Sequence, residues 1–363
     1  MENKKIKCKV NSHNEWDPLE EVIIGNLKNS MFPIWNDINA ASLGKEEWVE
    51  VEKKVGGAGI PYPKELVENA QKDLNEFIHI LKSEGVIVRE VDDVDYSRSF
   101  STPDWSNDCG FCAADPRDPF LVIGNEIIET PMPDRNRYFE SLGYKSLFKE
   151  YFKSGAKWTS APKPALTDEL YKKDYILDES SKNIEFALTE FEPVFDAADF
   201  VRCGKDIFCQ QSHVTNRFGI DWLERHLGDT YRVHEVKSTT STAYHIDTTF
   251  MPLAPGKVLV NPKYLDVNNL PDVLKSWDIL VSPETKPHGC PLGVLSDWIS
   301  INVLMLDEKR IVVERKQEAL IKKLKDWGFE PILCSFESYY PFLGSFHCST
   351  LDIRRDGELK SYF

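Results

Sequence analysis

Four times the chain runs apolar strand, tight turn, apolar strand, and this repeat limits the folds open to it. The units are Phe120-Leu121-Val122-Ile123, turn Gly124-Asn125-Glu126, then Ile127-Ile128; and Asp199-Phe200-Val201-Arg202, turn Gly204-Lys205, then Asp206-Ile207-Phe208. Phe250-Met251-Pro252-Leu253, turn Ala254-Pro255-Gly256-Lys257, then Val258-Leu259-Val260 is the third. Val303-Leu304-Met305-Leu306, turn Asp307-Glu308-Lys309, then Arg310-Ile311-Val312-Val313 is the fourth. Glycine and charged turn residues between β-branched runs signal hairpins.

Helical periodicity lies between the hairpins. Residues 64–83 place Leu66, Ala70, Leu74, Phe77, Ile78 and Leu81 near one face at about 3.6-residue spacing. Residues 216–227 and 315–327 read the same way. Repetition of such a unit predicts a closed, pseudo-symmetric α/β array rather than a nucleotide-binding sheet, and neither G-x-G-x-x-G nor a P-loop is present. No Gly/Ser-rich linker divides residues 1–363, so a single domain is expected. The polar run at 178–182 is the nearest approach to a break.

A net charge of −15 excludes nucleic acid as a partner on electrostatic grounds and is compatible with a cationic substrate. The start, Met1-Glu2-Asn3-Lys4-Lys5-Ile6-Lys7, is charged with no apolar run after it, so neither a signal peptide nor a membrane span is expected. Eight cysteines in 363 residues are too sparse for a disulfide framework and fit a reducing cytoplasm. Cys109-Gly110-Phe111-Cys112 is the one CxxC, and no second pair completes a zinc site.

Chemistry concentrates in three segments. Gly344-Ser345-Phe346-His347-Cys348-Ser349-Thr350-Leu351-Asp352-Ile353-Arg354-Arg355 offers a cysteine among small and polar residues. Phe195-Asp196-Ala197-Ala198-Asp199-Phe200 supplies carboxylates, and Tyr244-His245-Ile246-Asp247-Thr248-Thr249 an imidazole with another. These are the parts for covalent catalysis by thiol, imidazole and carboxylate, with Cys348 as nucleophile. His347 adjoins Cys348, but neighbours in an extended segment point to opposite sides, which makes His245 the better partner. If 244–249 is a strand, Asp247 shares the side on which His245 lies.

These segments, in this order, resemble the arginine:amine amidinotransferases. The likeness continues through Asn14-Glu15-Trp16-Asp17-Pro18-Leu19-Glu20-Glu21-Val22, Pro116-Arg117-Asp118, Gly124-Asn125-Glu126-Ile127-Ile128-Glu129, Gly155-Ala156-Lys157-Trp158, Ala161-Pro162-Lys163-Pro164 and Asn302-Val303-Leu304-Met305-Leu306-Asp307-Glu308. Phe336-Glu337-Ser338-Tyr339-Tyr340-Pro341-Phe342-Leu343 is most similar to the saxitoxin-pathway branch. The resemblance implies an α/β propeller of five pseudo-symmetric ββαβ modules. It implies transfer of the amidino group of L-arginine to a primary amine through an amidino-cysteine, with ornithine released and no metal or organic cofactor. Cys348, His245 and Asp196 are the implied catalytic residues, and Asp118 and Asp247 the carboxylates that grip the guanidinium. Asp199 is a candidate for a supporting contact, and Tyr244 is included with the substrate contacts. In the glycine and inosamine-phosphate enzymes an arginine binds the donor carboxylate. Here Asn261-Pro262-Lys263-Tyr264 puts Tyr264 in that place, with Lys263 able to substitute if turned inward. Of the paired serines in the same site only Ser296 matches, beside Leu295. A homodimer is compatible with the sequence. The rival readings are a glycine amidinotransferase making guanidinoacetate, an arginine deiminase-like hydrolase using water, and a non-catalytic binding protein.

Overall fold

In the computed structural model, residues 8–177, 183–293 and 295–363 are described. The polar run at 178–182 and the charged start at 1–7 lie outside them.

Strand β1 (Leu19–Ile24) is followed by α1 (Asp37–Leu43), α2 (Lys45–Val55) and α3 (Lys64–Ser83), and then β2 (Ile87–Glu90) returns parallel to β1. A short pair, β3 (Phe100–Ser101) and β4 (Ser106–Asn107), precedes the first complete hairpin. There β5 (Phe120–Ile123) runs antiparallel to β6 (Glu126–Glu129), and α4 (Lys145–Lys153) leads to β7 (Lys157–Ser160), parallel to β6. The plan repeats with β8 (Phe200–Cys203), β9 (Asp206–Cys209), α5 (Arg217–Leu227) and β10 (Arg232–Glu235). It repeats again with β11 (Phe250–Ala254), β12 (Lys257–Val260) and β13 (Asp278–Val281), where 3₁₀ turns at Val267–Asn269 and Asp272–Ser276 replace the helix. The next unit is β14 (Leu304–Met305), β15 (Arg310–Glu314), α6 (Glu318–Asp326) and β16 (Glu330–Cys334). Finally β17 (Thr350–Arg355) pairs antiparallel with β1, giving a fifth sheet in the order β17-β1-β2. The expected propeller of five modules is therefore present, and its ring is closed by strands from opposite ends of the chain.

Local chemistry explains the repeat. Gly124 and Gly204 open their two-residue turns and Gly256 closes its own, with φ of 60°, 70° and 76°, a region that suits glycine. In the fourth hairpin, Asp307 Oδ1 accepts the Lys309 and Arg310 amides at 2.8 Å each and holds the turn without glycine. Helix α3 buries Ala70, Leu74, Phe77 and Leu81, while Leu66 and Ile78 of the predicted stripe are only partly covered. Phe77 meets Phe336 and Phe346 edge to face, ring centroids 5.4 and 5.2 Å apart, so this helix seats the chain just ahead of Cys348. Truncating such a ring to alanine typically costs about 3–5 kcal/mol. The third predicted helix begins at Glu318 rather than 315, because Arg315 donates its amide to Cys334 O and still belongs to the sheet margin.

Candidate active site

Each module delivers its chemistry from the same place, the turn that enters its innermost strand. Asp118 lies in the turn before β5, Asp196 and Asp199 before β8, His245 and Asp247 before β11, Asn302 before β14 and Cys348 before β17. Five turns converging on the ring centre bring together residues scattered over more than half the sequence.

His245 precedes the 3₁₀ turn Ile246–Thr248, and Cys348 sits in the turn 346–349. Neither segment is an extended strand, so the condition under which Asp247 would share a side with His245 is not met. Asp247 is consequently not beside His245 on a strand face; it reaches the thiol from the turn, with Cys348 Sγ donating to Asp247 Oδ2 at 3.4 Å. Asn302 clamps the turn of Cys348: its Oδ1 accepts the His347 and Cys348 amides at 3.0 and 3.1 Å, and its Nδ2 donates to Cys348 Sγ at 3.2 Å. Gly344 permits the approach, since a Cβ there would lie 1.9 Å from Asp115 Oδ1 and 2.9 Å from Cys348 Cβ.

His245 Nε2 lies 3.2 Å from Asp196 Oδ2, and its Nδ1 lies 3.7 Å from Asp118 Oδ1. Burial alone would push the imidazole down, but Asp118, the hydrogen bond to Asp196, and Asp199 override it and raise it to about 10. Burial lifts Asp196 to about 6 against the pull of His245, and Asp199, which accepts Ser212 Oγ at 2.6 Å, to about 7. Burial, then the charges of Asp247, Asp118 and Asp115, drive the Cys348 thiol well above the usual cysteine range. Burial also opposes ionisation of Asp247, yet the hydrogen bond from His347 prevails and holds it below the usual carboxylate range.

Arg137, which sequence reasoning passed over, donates from Nη1 to Asp118 Oδ2 at 2.8 Å and forks onto Glu140 at 2.8 and 2.9 Å. Asp118 Oδ1 and Asp247 Oδ1 are left buried with no hydrogen-bond partner among the described residues. His347 does not serve the thiol. Its Nδ1 lies 2.8 Å from Asp247 Oδ2 and its Nε2 lies 3.2 Å from Glu15 Oε2. Glu15 is gripped by both arms of Arg202, which also reaches Asp352 at 2.9 Å, and Arg117 binds Asp352 at 2.6 Å. The sequence blocks around Glu15, Arg117 and Asp352 thus form one charged layer beside the site.

Asp118, His245 and Cys348 open onto a cavity of about 450 Å³. Tyr244 lines it with its ring 4.6 Å from that of His245, and Lys263, Tyr264 and Ser296 line it as well. Tyr264 is buried, with Lys263 Nζ 5.7 Å from its ring centre, while Lys263 itself is exposed. Ser296 is exposed and accepts the Trp298 amide at 3.3 Å. Cys109 and Cys112 of the CxxC are buried free thiols away from this lining.

No profile of a known family matches the sequence. Individual relatives do. An L-arginine:L-lysine amidinotransferase of Pseudomonas savastanoi pv. phaseolicola is 48% identical over 352 residues, 97% of this chain and 96% of that one. The chain belongs to the amidinotransferase family of transferases. Among solved structures it is similar to SxtG, an amidinotransferase of saxitoxin biosynthesis from Microseira wollei, with 60% identity and a TM-score of 0.95 over 98% of this chain and 100% of that one. The inosamine-phosphate amidinotransferase StrB1 from Streptomyces griseus is 38% identical, with a TM-score of 0.85 over 97% and 99% of the two chains. Among the described residues no helix is long and apolar enough to cross a membrane.

The position of the thiol fixes a pH response. Alkylation of Cys348 by iodoacetamide in the substrate-free enzyme should rise about tenfold per unit across roughly pH 6 to 9, because only the thiolate reacts. Peptide mapping after timed alkylation checks this, and a plateau reached near neutral pH would contradict it.

Proposed function

We propose that this chain acts as a single domain that transfers the amidino group of L-arginine to a primary amine through an S-amidino form of Cys348. The observation that carries the proposal is the pair of buried oxygens on Asp118 and Asp247 that no group among the described residues partners, on two carboxylates flanking one thiol. A planar guanidinium satisfies both with its fork of N–H donors and sets its carbon against Sγ. It also brings a positive charge to the one place where the thiolate is opposed by carboxylates, so donor binding itself favours ionisation of Cys348.

The geometry supports the following steps. Cys348 thiolate bonds to the guanidinium carbon. His245, held protonated by its carboxylates, gives its Nδ1 proton to the departing nitrogen as the carbon–nitrogen bond breaks, and ornithine leaves. Asp196 behind Nε2 orients the ring and stabilises its charge. An acceptor amine, entering unprotonated, attacks the amidino carbon, yields a proton to neutral His245 and displaces the thiolate. Ornithine must vacate the site first, so double-reciprocal plots at several acceptor concentrations should be parallel, with labelled ornithine exchanging into arginine. Intersecting lines without exchange refute the order, and citrulline formation would place the chain with the hydrolases.

The cavity volume falls within the ~300–1,000 Å³ range of small-molecule sites and leaves space beyond the donor. That space, and the lysine named as acceptor of the Pseudomonas relative, support an alkylamine longer than glycine, of the kind secondary-metabolite pathways supply. Tyr264 lacks the charge that would bind a donor carboxylate, whereas Lys263 lies on the same wall. We expect arginine to be preferred over agmatine, and Lys263→Ala to remove most of that preference, an effect of about 1.5–3 kcal/mol. Comparison of kcat/KM for the two donors checks this; unchanged selectivity in Lys263→Ala, or exclusive use of glycine as acceptor, counts against it.

A further inference from the structure

Cys348, His245 and Asp118 each offer one ligand atom, and these atoms lie within 4.8 Å of one another. All three residues are buried, and all three line the cavity. Among the described residues Asp118 Oδ1 has no hydrogen-bond partner, and its 3.7 Å separation from His245 Nδ1 is too long for one. The other oxygen of Asp118 is held by Arg137, and the other nitrogen of His245 lies against Asp196. A carboxylate behind an imidazole whose second nitrogen faces open space is the usual outer layer of a histidine–metal site.

We propose that this cluster binds a thiophilic divalent cation, zinc(II) foremost, in competition with the donor. Sulfur, imidazole nitrogen and carboxylate oxygen are the three ligand types zinc prefers, at about 2.3, 2.0–2.1 and 2.0–2.2 Å. Drawing in the widest pair by about 1 Å satisfies those lengths, and the fourth position opens on the cavity for water. Binding forms the zinc–sulfur and zinc–nitrogen bonds and expels the thiol and imidazolium protons to solvent, so affinity rises with pH. The carboxylates that oppose a free thiolate favour a dication. The metal here is an inhibitor that silences the thiol, and a chelator restores it. Metal binding depends on the ligand geometry and stands whichever reaction the enzyme uses, whereas competition with the donor rests on the proposed function.

Cobalt(II) titration followed by absorption tests the site directly. The wild-type protein should develop a thiolate-to-cobalt charge-transfer band at one equivalent, displaced by zinc. The chain has eight cysteines, so the band must be assigned: Cys348→Ala should lose it, whereas the double variant Cys8→Ser, Cys290→Ser should keep it. Asp196→Asn should keep the band but weaken the metal about 10–100-fold. The same band at the same stoichiometry in folded Cys348→Ala, or a wild-type spectrum without thiolate charge transfer, would overturn the proposal.

Discussion

Replacing Cys348 with alanine should reduce amidino transfer on the order of a million-fold while the protein stays folded. The methyl group cannot form the carbon–sulfur bond of the proposed mechanism. The fold survives because the turn is held by its backbone: Asn302 Oδ1 still accepts the amides of residues 347 and 348. The loss of one buried sulfur should cost less than about 2 kcal/mol. Wild-type protein incubated with arginine alone should gain a single amidino group, mapped to Cys348 by mass spectrometry, and the variant none. Ornithine release by a folded Cys348→Ala protein, or an adduct on another cysteine, would remove Cys348 from the chemistry.

Arg202→Met should be the most damaging single change outside the site, lowering stability by about 3–5 kcal/mol. Arg202 is buried and holds Glu15 by both oxygens, Asp352 at 2.9 Å, Ser12 Oγ at 2.6 Å and Val122 O at 3.0 Å. Its removal leaves Glu15 with His347 at 3.2 Å and the longer 3.7 Å contact to Arg117, and takes from Asp352 one of its three arginines. Burial already raises the cost of ionising Asp352, which Arg117, Arg355 and Arg202 together hold far below the usual range. Activity should fall further than stability explains, because Glu15 bears on His347, and His347 on Asp247. Neutralising the stranded partner in Arg202→Met, Glu15→Gln should recover part of the stability. Urea unfolding measures both; a loss under about 1 kcal/mol for the single variant would show that the layer contributes little.

The hairpins were legible because each is written in a dozen adjacent residues, with glycine or aspartate at the turn. The fifth sheet was not, since its strands β1 and β17 lie at opposite ends and no local pattern records their pairing. The missing helix between β12 and β13 was also invisible, 3₁₀ turns having no strong apolar period. Cys348, His245 and Asp196 stood out through residue type and through resemblance, and the structure does bring them together. The geometry linking them was misjudged, as alternation was assumed where the chain turns. Arg137 sits in the polar run Asp134-Arg135-Asn136-Arg137, which reads as surface until Glu140 and Asp118 are seen around it. Asn302 lay inside a matched block, but its clamp on residues 347 and 348 is a contact between turns of different modules.

The pairing of β1 with β17 also sets a timetable for synthesis. Asn11 Nδ2 finds its acceptor, Arg355 O, 344 positions later. At about 5–20 residues per second, the first strand waits roughly 15–70 s on the ribosome for its partner. Its apolar residues Val22, Ile23 and Ile24 need shelter throughout that interval, from α3, from β2 or from a chaperone. Cys348 is translated just ahead of the last strand, so its contacts with Asn302 and Asp247 form only after that segment has emerged. A nascent or prematurely released chain therefore holds Asp118, Asp196 and Asp247 before the turn of Cys348 is seated against them, and the cluster is completed in a single late step.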